Sequence, residues 1–176
     1  MSTALNIPLS LEEFVLRPER EDGQKEELIE GELIVSPAAK VWHAAMVRRL
    51  RVKLAPLEEL GYIVGNDFAC ALGGRSMPAP DLAAVSLERW NHAEDNDGWL
   101  EGAPELVVEV ASPSNRALQR KAVLYLEYGA EQVWLIYRQT QTVMVMTSEG
   151  TTKAAMGETL AFRSVRVPVA SFMKRA

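Results

Sequence analysis

Hydrophobic positions along this chain recur at two different spacings, which predict both strands and helices. Residues 104–112, PELVVEVAS, form a nearly continuous aliphatic and β-branched run, as expected of a central strand with both faces covered. Over 40–60 the apolar residues recur at helical spacing instead, on the stripe Met46, Val47, Leu50, Leu54 and Leu57. We expect Pro56 to kink or shorten the last turn. Residues 112–129 predict a second helix, with Ser or Asn as N-cap, Pro near the first turn and Gly129 at the end.

Shorter patterned segments complete the chain. Residues 10–14 predict a capped short helix, and residues 27–37 predict a hairpin bent at Gly31. Four further strands are predicted, at 62–72, 78–86, 131–138 and 142–148. An acidic loop is expected at 91–103 and a mixed tail at 158–173.

The order of these elements predicts the fold class. A strand, a helix and a strand follow one another between residues 104 and 137, which implies a right-handed crossover and at least one parallel strand pair. We therefore predict one α/β domain over 1–176, with a mixed sheet, two main flanking helices and an N-terminal hairpin addition.

Composition narrows the class of protein further. A length of 176 residues fits one domain with a sizeable core. The net charge of −5 argues against tight, non-specific coating of nucleic acid, but a nuclease can confine positive charge to one face. The single cysteine, Cys70, excludes an internal disulfide and a cysteine-rich zinc site. Without an apolar run of the roughly 20 residues that a membrane span needs, or a secretory leader pattern, we expect a cytoplasmic protein with no membrane partner.

Two carboxylates occupy positions where a lone charge is costly to bury. Glu109 lies inside the most apolar strand, and Asp81 lies at the start of another apolar strand. Two acids in neighbouring apolar strands suit one hard divalent cation, which binds carboxylate oxygens and retains waters. The alternative is that each acid is paired with an arginine or caps a backbone.

The helix after the Glu109 strand carries a lysine on its inward face. At 100° per residue, Lys121 falls at the centre of the face formed by Ala117, Leu118, Tyr125 and Tyr128. Its ammonium could then return to the strand end and stabilise negative charge in a phosphoryl transition state. The alternative is a lysine whose stem is packed and whose ammonium reaches solvent.

Weaker candidates surround these three residues. His43 lies on the inward stripe of the first long helix, where a hydrogen-bonded core histidine is the alternative role. Glu30 and Glu32 flank the hairpin turn, and Glu32 has the better claim to face inward; a solvated charge is the alternative for both. Basic residues on the flanks of the first long helix could contact phosphates or could simply be solvated surface. They are Arg48, Arg49, Arg51 and Lys53.

These residues together resemble a known family, the "Uma-two" branch of the PD-(D/E)XK nuclease superfamily, which has a restriction-endonuclease-like fold. The resemblance covers about residues 10–173. Its landmarks are ELIEGELIVSP (27–37), His43, PAPDLAAVS (78–86), EGAPELVVEVASPSN (101–115), Lys121 with Tyr125, and YGAEQVWLIY (128–137).

The resemblance implies a metal site. Asp81 is then the first metal-binding acid, Glu109 the second, and the carbonyl of Val110 a third oxygen, with Mg²⁺ or Mn²⁺ as the ion. Two departures from the family pattern matter. The superfamily has a lysine two residues after the second acid, but this chain has Ala111 at that position. In the "Uma-two" branch the lysine comes from the next helix, and here it is Lys121. Members often have an aspartate one turn before that lysine, a neighbourhood held here by Ala117 and Gln119.

The leading functional hypothesis is therefore a Mg²⁺-dependent endonuclease acting on DNA, with Asp81, Glu109, Lys121, Glu32 and His43 as catalytic residues and a homodimer as the assembly. One alternative is a non-catalytic interaction or nucleic-acid-binding protein that has kept the nuclease fold. Another is an unrelated hydrolase of a small acidic or phosphorylated substrate.

Overall fold

The computed structural model describes residues 8–18, 20–22, 24–66, 68–112 and 117–173. Its strands are β1 (Lys25–Ile29), β2 (Glu32–Ser36), β3 (Tyr62–Gly65), β4 (Cys70–Ala71), β5 (Leu82–Ser86), β6 (Leu100–Glu101), β7 (Leu106–Val110), β8 (Gln132–Tyr137), β9 (Thr142–Thr147), β10 (Gly150–Ala154), β11 (Thr159–Phe162) and β12 (Val165–Pro168). Its α-helices are α1 (Leu11–Val15), α2 (Val41–Leu54), α3 (Leu87–Asp95), α4 (Leu118–Glu127) and α5 (Ala170–Met173). None of these helices is long and apolar enough to cross a bilayer.

A six-stranded mixed sheet organises the molecule, in the order β10-β9-β8-β7-β5-β3. Strands β7 and β8 are parallel and pair Val108 with Trp134, while β5 runs antiparallel to β7 and pairs Leu82 with Val108. Helix α4 connects the two parallel strands. The predicted strand–helix–strand unit and its parallel pair are therefore confirmed.

The two faces of this sheet bury different sets of residues. Because neighbouring strand residues point to opposite faces, Val108 and Val110 pack on the side of α2, whereas Val107 packs on the side of α4. Glu109 shares the face of Val107. The mixed sheet with a main helix on each side agrees with the predicted fold class.

Local sequence explains the ends of several elements. Pro56 ends α2 as predicted: the chain tightens into a 3₁₀ helix, Ala55–Leu60. The hairpin turns at Glu30 and Gly31, both with positive φ (52° and 83°), as a two-residue hairpin turn with matching twist requires. The N-cap of α4 is Ala117, without a side-chain hydrogen bond, so the predicted Ser or Asn cap is not the one observed. Pro113 lies outside the described residues.

Other predicted boundaries were wrong. The expected loop at 91–103 is partly helical, since α3 runs to Asp95. The acidic and polar residues of this segment favoured a loop, whereas the helix packs one side chain, Trp90, against the core and leaves most of the others exposed. The predicted strand at 62–72 is divided into β3 and β4, which pair with different partners, β5 and β6. Strand β5 begins only at Leu82, so Asp81 immediately precedes it.

Candidate active site

A cavity of about 590 Å³ opens where β7 ends and β5 begins. Since these strands are antiparallel, the end of one and the start of the other lie at the same edge of the sheet. Continuing the register that pairs Leu82 with Val108 places Asp81 opposite Glu109. Six residues that matter for the chemistry line this cavity: Glu27, His43, Asp81, Glu109, Val110 and Lys121.

Asp81 is held by two hydrogen bonds to the same carboxylate oxygen. The Val110 backbone N–H donates to Asp81 Oδ2 over 2.7 Å, and His43 Nε2 lies 3.2 Å from that oxygen. Burial raises the pKa of Asp81, but these contacts outweigh burial and hold the pKa below its ordinary value. The hydrogen bond with Asp81 raises the pKa of His43. Asp81 is therefore an ionised carboxylate, and the structure brings His43 to it.

Glu109 is buried beside a cation and a phenol. Its side chain is 1% exposed, and its Oε1 lies 2.6 Å from Lys121 Nζ and accepts a 3.0 Å hydrogen bond from the Tyr125 hydroxyl. Burial raises the pKa of Glu109 to about 7, although the Lys121 ammonium opposes the rise and Asp81 adds to it. One ammonium does not offset burial together with the neighbouring acids, so Glu109 gains a proton more easily than an ordinary glutamate does.

Lys121 is fully enclosed. Its side chain is 2% exposed, and its ammonium lies between Glu109 Oε1 and Glu27 Oε1, at 2.6 and 2.7 Å. Burial lowers the pKa of Lys121, but the two carboxylates raise it above its ordinary value. The predicted position beside the Glu109 strand is confirmed, and a lysine with its ammonium in solvent is excluded. Its catalytic role stays a prediction.

Glu27 belongs to this cluster although it was not among the residues predicted from the sequence. It is 5% exposed on β1, and its Oε1 also accepts a 2.8 Å hydrogen bond from the Ala79 backbone N–H. A signal was available, because Glu27 lies two residues before the buried Ile29 and therefore shares its strand face. With Glu27, three carboxylates line the cavity, and two of them, Glu27 and Glu109, share the buried Lys121 ammonium.

Glu32 was predicted to face inward, and that prediction is wrong. Its side chain is 57% exposed and pairs with Arg120, whose Nη1 lies 2.6 Å from Glu32 Oε2. Glu30 pairs with the same guanidinium at 2.8 Å. Glu32 lies next to the hairpin turn, at the edge of the hairpin. Its side chain therefore reaches solvent, where it pairs with Arg120 on the exposed face of α4. The structure does not bring Glu32 to the cavity.

Comparison with known proteins places this arrangement in a family. The family model Uma2, described as "Putative restriction endonuclease", matches residues 11–167. The chain belongs to the Uma2 family. The resemblance stated from the sequence is thereby confirmed. A solved structure described as a "putative nuclease belonging to DUF820", from Anabaena variabilis ATCC 29413, is 22% identical with a TM-score of 0.81, over 94% of this chain and 98% of that one. At this identity the likeness shows the fold alone. No curated protein matches the chain.

The arginines of α2 that were predicted to contact phosphates differ in how far their side chains are already engaged. Arg48 is exposed, but Arg49 Nε donates to the Phe172 carbonyl over 2.9 Å and Arg51 Nε donates to the Val64 carbonyl over 3.3 Å. Two of the three guanidinium groups thus already bind backbone. The basic residues that line the cavity are instead Lys25 and Lys40, together with Lys121.

The donor set of this Uma2 site consists of carboxylate oxygens. Within the described ranges no group of three or more His, Cys, Asp or Glu side chains converges as a protein-only metal cage would require. Mg²⁺ commonly binds through one or two carboxylates and keeps several waters. Asp81 and Glu109 already use Oδ2 and Oε1 for protein contacts, so Oδ1 and Oε2 are the oxygens that could bind such an ion. These two oxygens are hard donors of the kind that a hydrated divalent cation accepts.

Proposed function

We propose that this protein is a metal-dependent endonuclease that hydrolyses phosphodiester bonds of DNA. One observation carries the proposal: a buried lysine contacts a buried carboxylate, which lies opposite a second acid in one cavity. Burying these charges is costly, so their retention in an apolar sheet calls for a chemical reason. Membership of a nuclease family supports the same conclusion.

In this proposal each residue has a distinct task. Asp81 and Glu109 would hold Mg²⁺ or Mn²⁺, with the Val110 carbonyl as a third oxygen, and a bound ion would polarise the phosphate and acidify a bound water. Lys121 stays protonated and donates a hydrogen bond to the attacking water or to a phosphoryl oxygen, which stabilises charge in the transition state. His43 is a positioning residue, because it acts by orienting Asp81.

Glu27 is also a positioning residue. It shares the Lys121 ammonium with Glu109, so it limits where that ammonium can lie. Glu27 is itself anchored to the Ala79 backbone N–H. Lys25 and Lys40 would contact the phosphates of the substrate at the cavity. Arg48, which is exposed on α2 outside the cavity lining, would contact more distant phosphates.

The decisive experiment combines metal binding with cleavage. Calorimetric titration with Mn²⁺ should reveal a site that Asp81→Ala and Glu109→Ala each abolish. The same two variants should lose Mg²⁺-dependent cleavage of single-stranded, duplex and branched DNA. Glu32→Ala is the matched control, because Glu32 is an exposed acid on the neighbouring hairpin. Unchanged Mn²⁺ binding in either cavity variant would contradict the shared metal site.

A non-catalytic protein that has kept the nuclease fold is the second candidate. It is favoured by one observation: in the described part of the chain, every buried side-chain nitrogen and oxygen has a hydrogen-bond partner, so the cluster is satisfied by protein groups alone. Under this alternative Mn²⁺ binding is absent, and no DNA is cleaved at any metal concentration.

The proposed assembly is a homodimer. Light scattering coupled to size-exclusion chromatography measures it directly, with a mass of twice 19.5 kDa expected. A mass of one chain at micromolar concentration would contradict the dimer but would not bear on the proposed metal site.

A further inference from the structure

A second cavity, of about 760 Å³, lies beside the first and has a different character. Aromatic rings form much of its wall: Phe68, Trp90 and Trp99. Phe68 and Trp90 meet edge to face, with ring centroids 5.3 Å apart, so Trp90 is braced in position. Trp99 is 51% exposed, which is unusual for so large an apolar ring. A braced aromatic wall with one open indole can stack a flat, aromatic group.

The two cavities share a boundary. Lys25 lines both of them. Its ammonium binds the Ala79 carbonyl and lies 3.9 Å from Glu27 Oε1, and Ala79 itself lines the second cavity. A cation at this junction can bind a phosphate whose attached nucleoside extends away from the proposed catalytic centre. The aromatic cavity therefore adjoins the site where the phosphodiester would be cut, with Lys25 between them.

Polar side chains in the second cavity suit the edge of a nucleobase. Gln24 and Glu94 line it, and amide and carboxylate groups form hydrogen bonds with the amino and ring nitrogen groups of bases. Glu26 also lines it, but its carboxylate pairs with Arg17 and Arg20, at 3.7 and 3.2 Å. This pairing reduces the repulsion that Glu26 would exert on a phosphate backbone.

We propose that the cavity formed by Phe68, Trp90 and Trp99 binds an unpaired nucleobase next to the phosphate that Lys25 contacts. The inference rests on the proposed nuclease function and narrows its substrate. A base within an intact duplex is stacked between its neighbours and cannot enter a side pocket unless it is flipped out. The preferred substrate is therefore single-stranded, branched or otherwise unpaired DNA.

The test compares two oligonucleotides that differ only in their bases. Fluorescence anisotropy in EDTA measures the affinity for a single-stranded 12-mer and for a 12-mer of the same backbone without bases, so that phosphate contacts cancel. We expect the wild-type protein to prefer the base-carrying strand by about 5–100-fold, as a base–aromatic stack typically provides. Trp99→Ala should lose most of this preference, and Trp99→Phe should keep most of it, since a phenyl ring still stacks.

The controls separate stacking from folding. Trp99 is half exposed, so its truncation leaves the core intact; circular dichroism checks this. Tyr128→Ala is the matched aromatic control, because Tyr128 is 41% exposed at the end of α4. It should keep the full preference for bases.

Each outcome has a distinct meaning. Equal wild-type binding of both strands, or a preference that survives Trp99→Ala, overturns the base pocket. Mg²⁺-dependent cleavage of DNA under either outcome would still support the nuclease. If the wild-type protein neither binds nor cleaves DNA, the nuclease proposal fails and the base pocket fails with it.

Discussion

Two neighbouring residues of α4, Arg120 and Lys121, each form ion pairs with the hairpin of β1 and β2. One of them does so in solvent and the other inside the protein. Lys121 is 2% exposed and bridges Glu27 and Glu109. Arg120, the residue before it, is 42% exposed and bridges Glu30 and Glu32. Both clusters have one cation and two carboxylates, and their shortest contacts are alike, at 2.6 Å.

The two clusters differ in their exposure to solvent. Around Arg120, solvent screens every charge, so the ion pairs contribute little to stability. Around Lys121, burial makes every unpaired charge expensive and shifts the pKa of Glu109 upwards. Only the charges of the buried cluster are therefore suited to take part in a reaction. The contact distances do not reveal this difference, because they are similar in the two clusters. Three predictions test the contrast, from the largest expected effect to the smallest.

The first prediction concerns stability. Lys121→Ala leaves Glu27 and Glu109 without their shared cation inside the protein, and we expect it to lower the free energy of unfolding by about 3–5 kcal/mol. Arg120→Ala should cost only about 0–1 kcal/mol, because its partners remain hydrated. Urea unfolding at pH 7.5 measures both. Equal losses in the two variants would mean that burial does not distinguish the clusters.

The second prediction concerns activity and rests on the proposed nuclease. On folded protein, Lys121→Ala should reduce the rate of DNA cleavage by roughly 10²–10³-fold, as loss of one preorganised donor typically does. The affinity for Mn²⁺ should stay nearly unchanged, because an ammonium is not a ligand. Arg120→Ala should retain the wild-type rate. Ala111→Lys combined with Lys121→Ala should restore part of the rate, by presenting an ammonium from β7.

The third prediction concerns pH. The folded pKa of Glu109 is about 7, above its ordinary 4.5, and the pKa of His43 is also raised. Both groups bind protons more tightly in the folded state, so the metal-free protein should become more stable as the pH falls from 8 to 5.5. We expect a gain on the order of 1–3 kcal/mol. Asp81 does not oppose this, because its lowered pKa affects stability only nearer pH 3.8 and below.

Glu109→Gln sharpens the pH prediction. It should raise the melting temperature of the metal-free protein at pH 8 and remove most of its pH dependence, since Lys121 keeps Glu27 as a partner. A fall in melting temperature would show instead that the Lys121–Glu109 pair is a net stabilising ion pair. Arg120→Ala is the control and should keep the wild-type pH dependence.

Several parts of this site were predictable because local pattern decides them. Glu109 interrupts an apolar run, and a strand of that composition has few places other than the centre of a sheet. Lys121 lies on the inward stripe of its helix by angular position alone. The hairpin bends at Gly31 because its turn needs positive φ. For these residues, the period of the element is enough to state which way the side chain points.

The acids of the hairpin show what local pattern could not decide. Glu27, Glu30 and Glu32 lie within six residues, and the local pattern favoured Glu32 as the inward one. The structure selects Glu27, because the ammonium that stabilises it comes from Lys121, 94 positions along the chain. Glu32 instead meets Arg120, 88 positions away.

The sequence by itself therefore determined the α/β architecture, the family, the two acids of neighbouring strand segments and the inward lysine. These features follow from hydrophobic period and from residue types that are costly to bury. Only the tertiary structure decided that Glu27 joins the cluster, that Glu32 does not, and that an aromatic cavity adjoins the site. The physical reason is that a buried charge is tolerated only where a partner of opposite charge meets it, and that partner is set by the packing of distant segments.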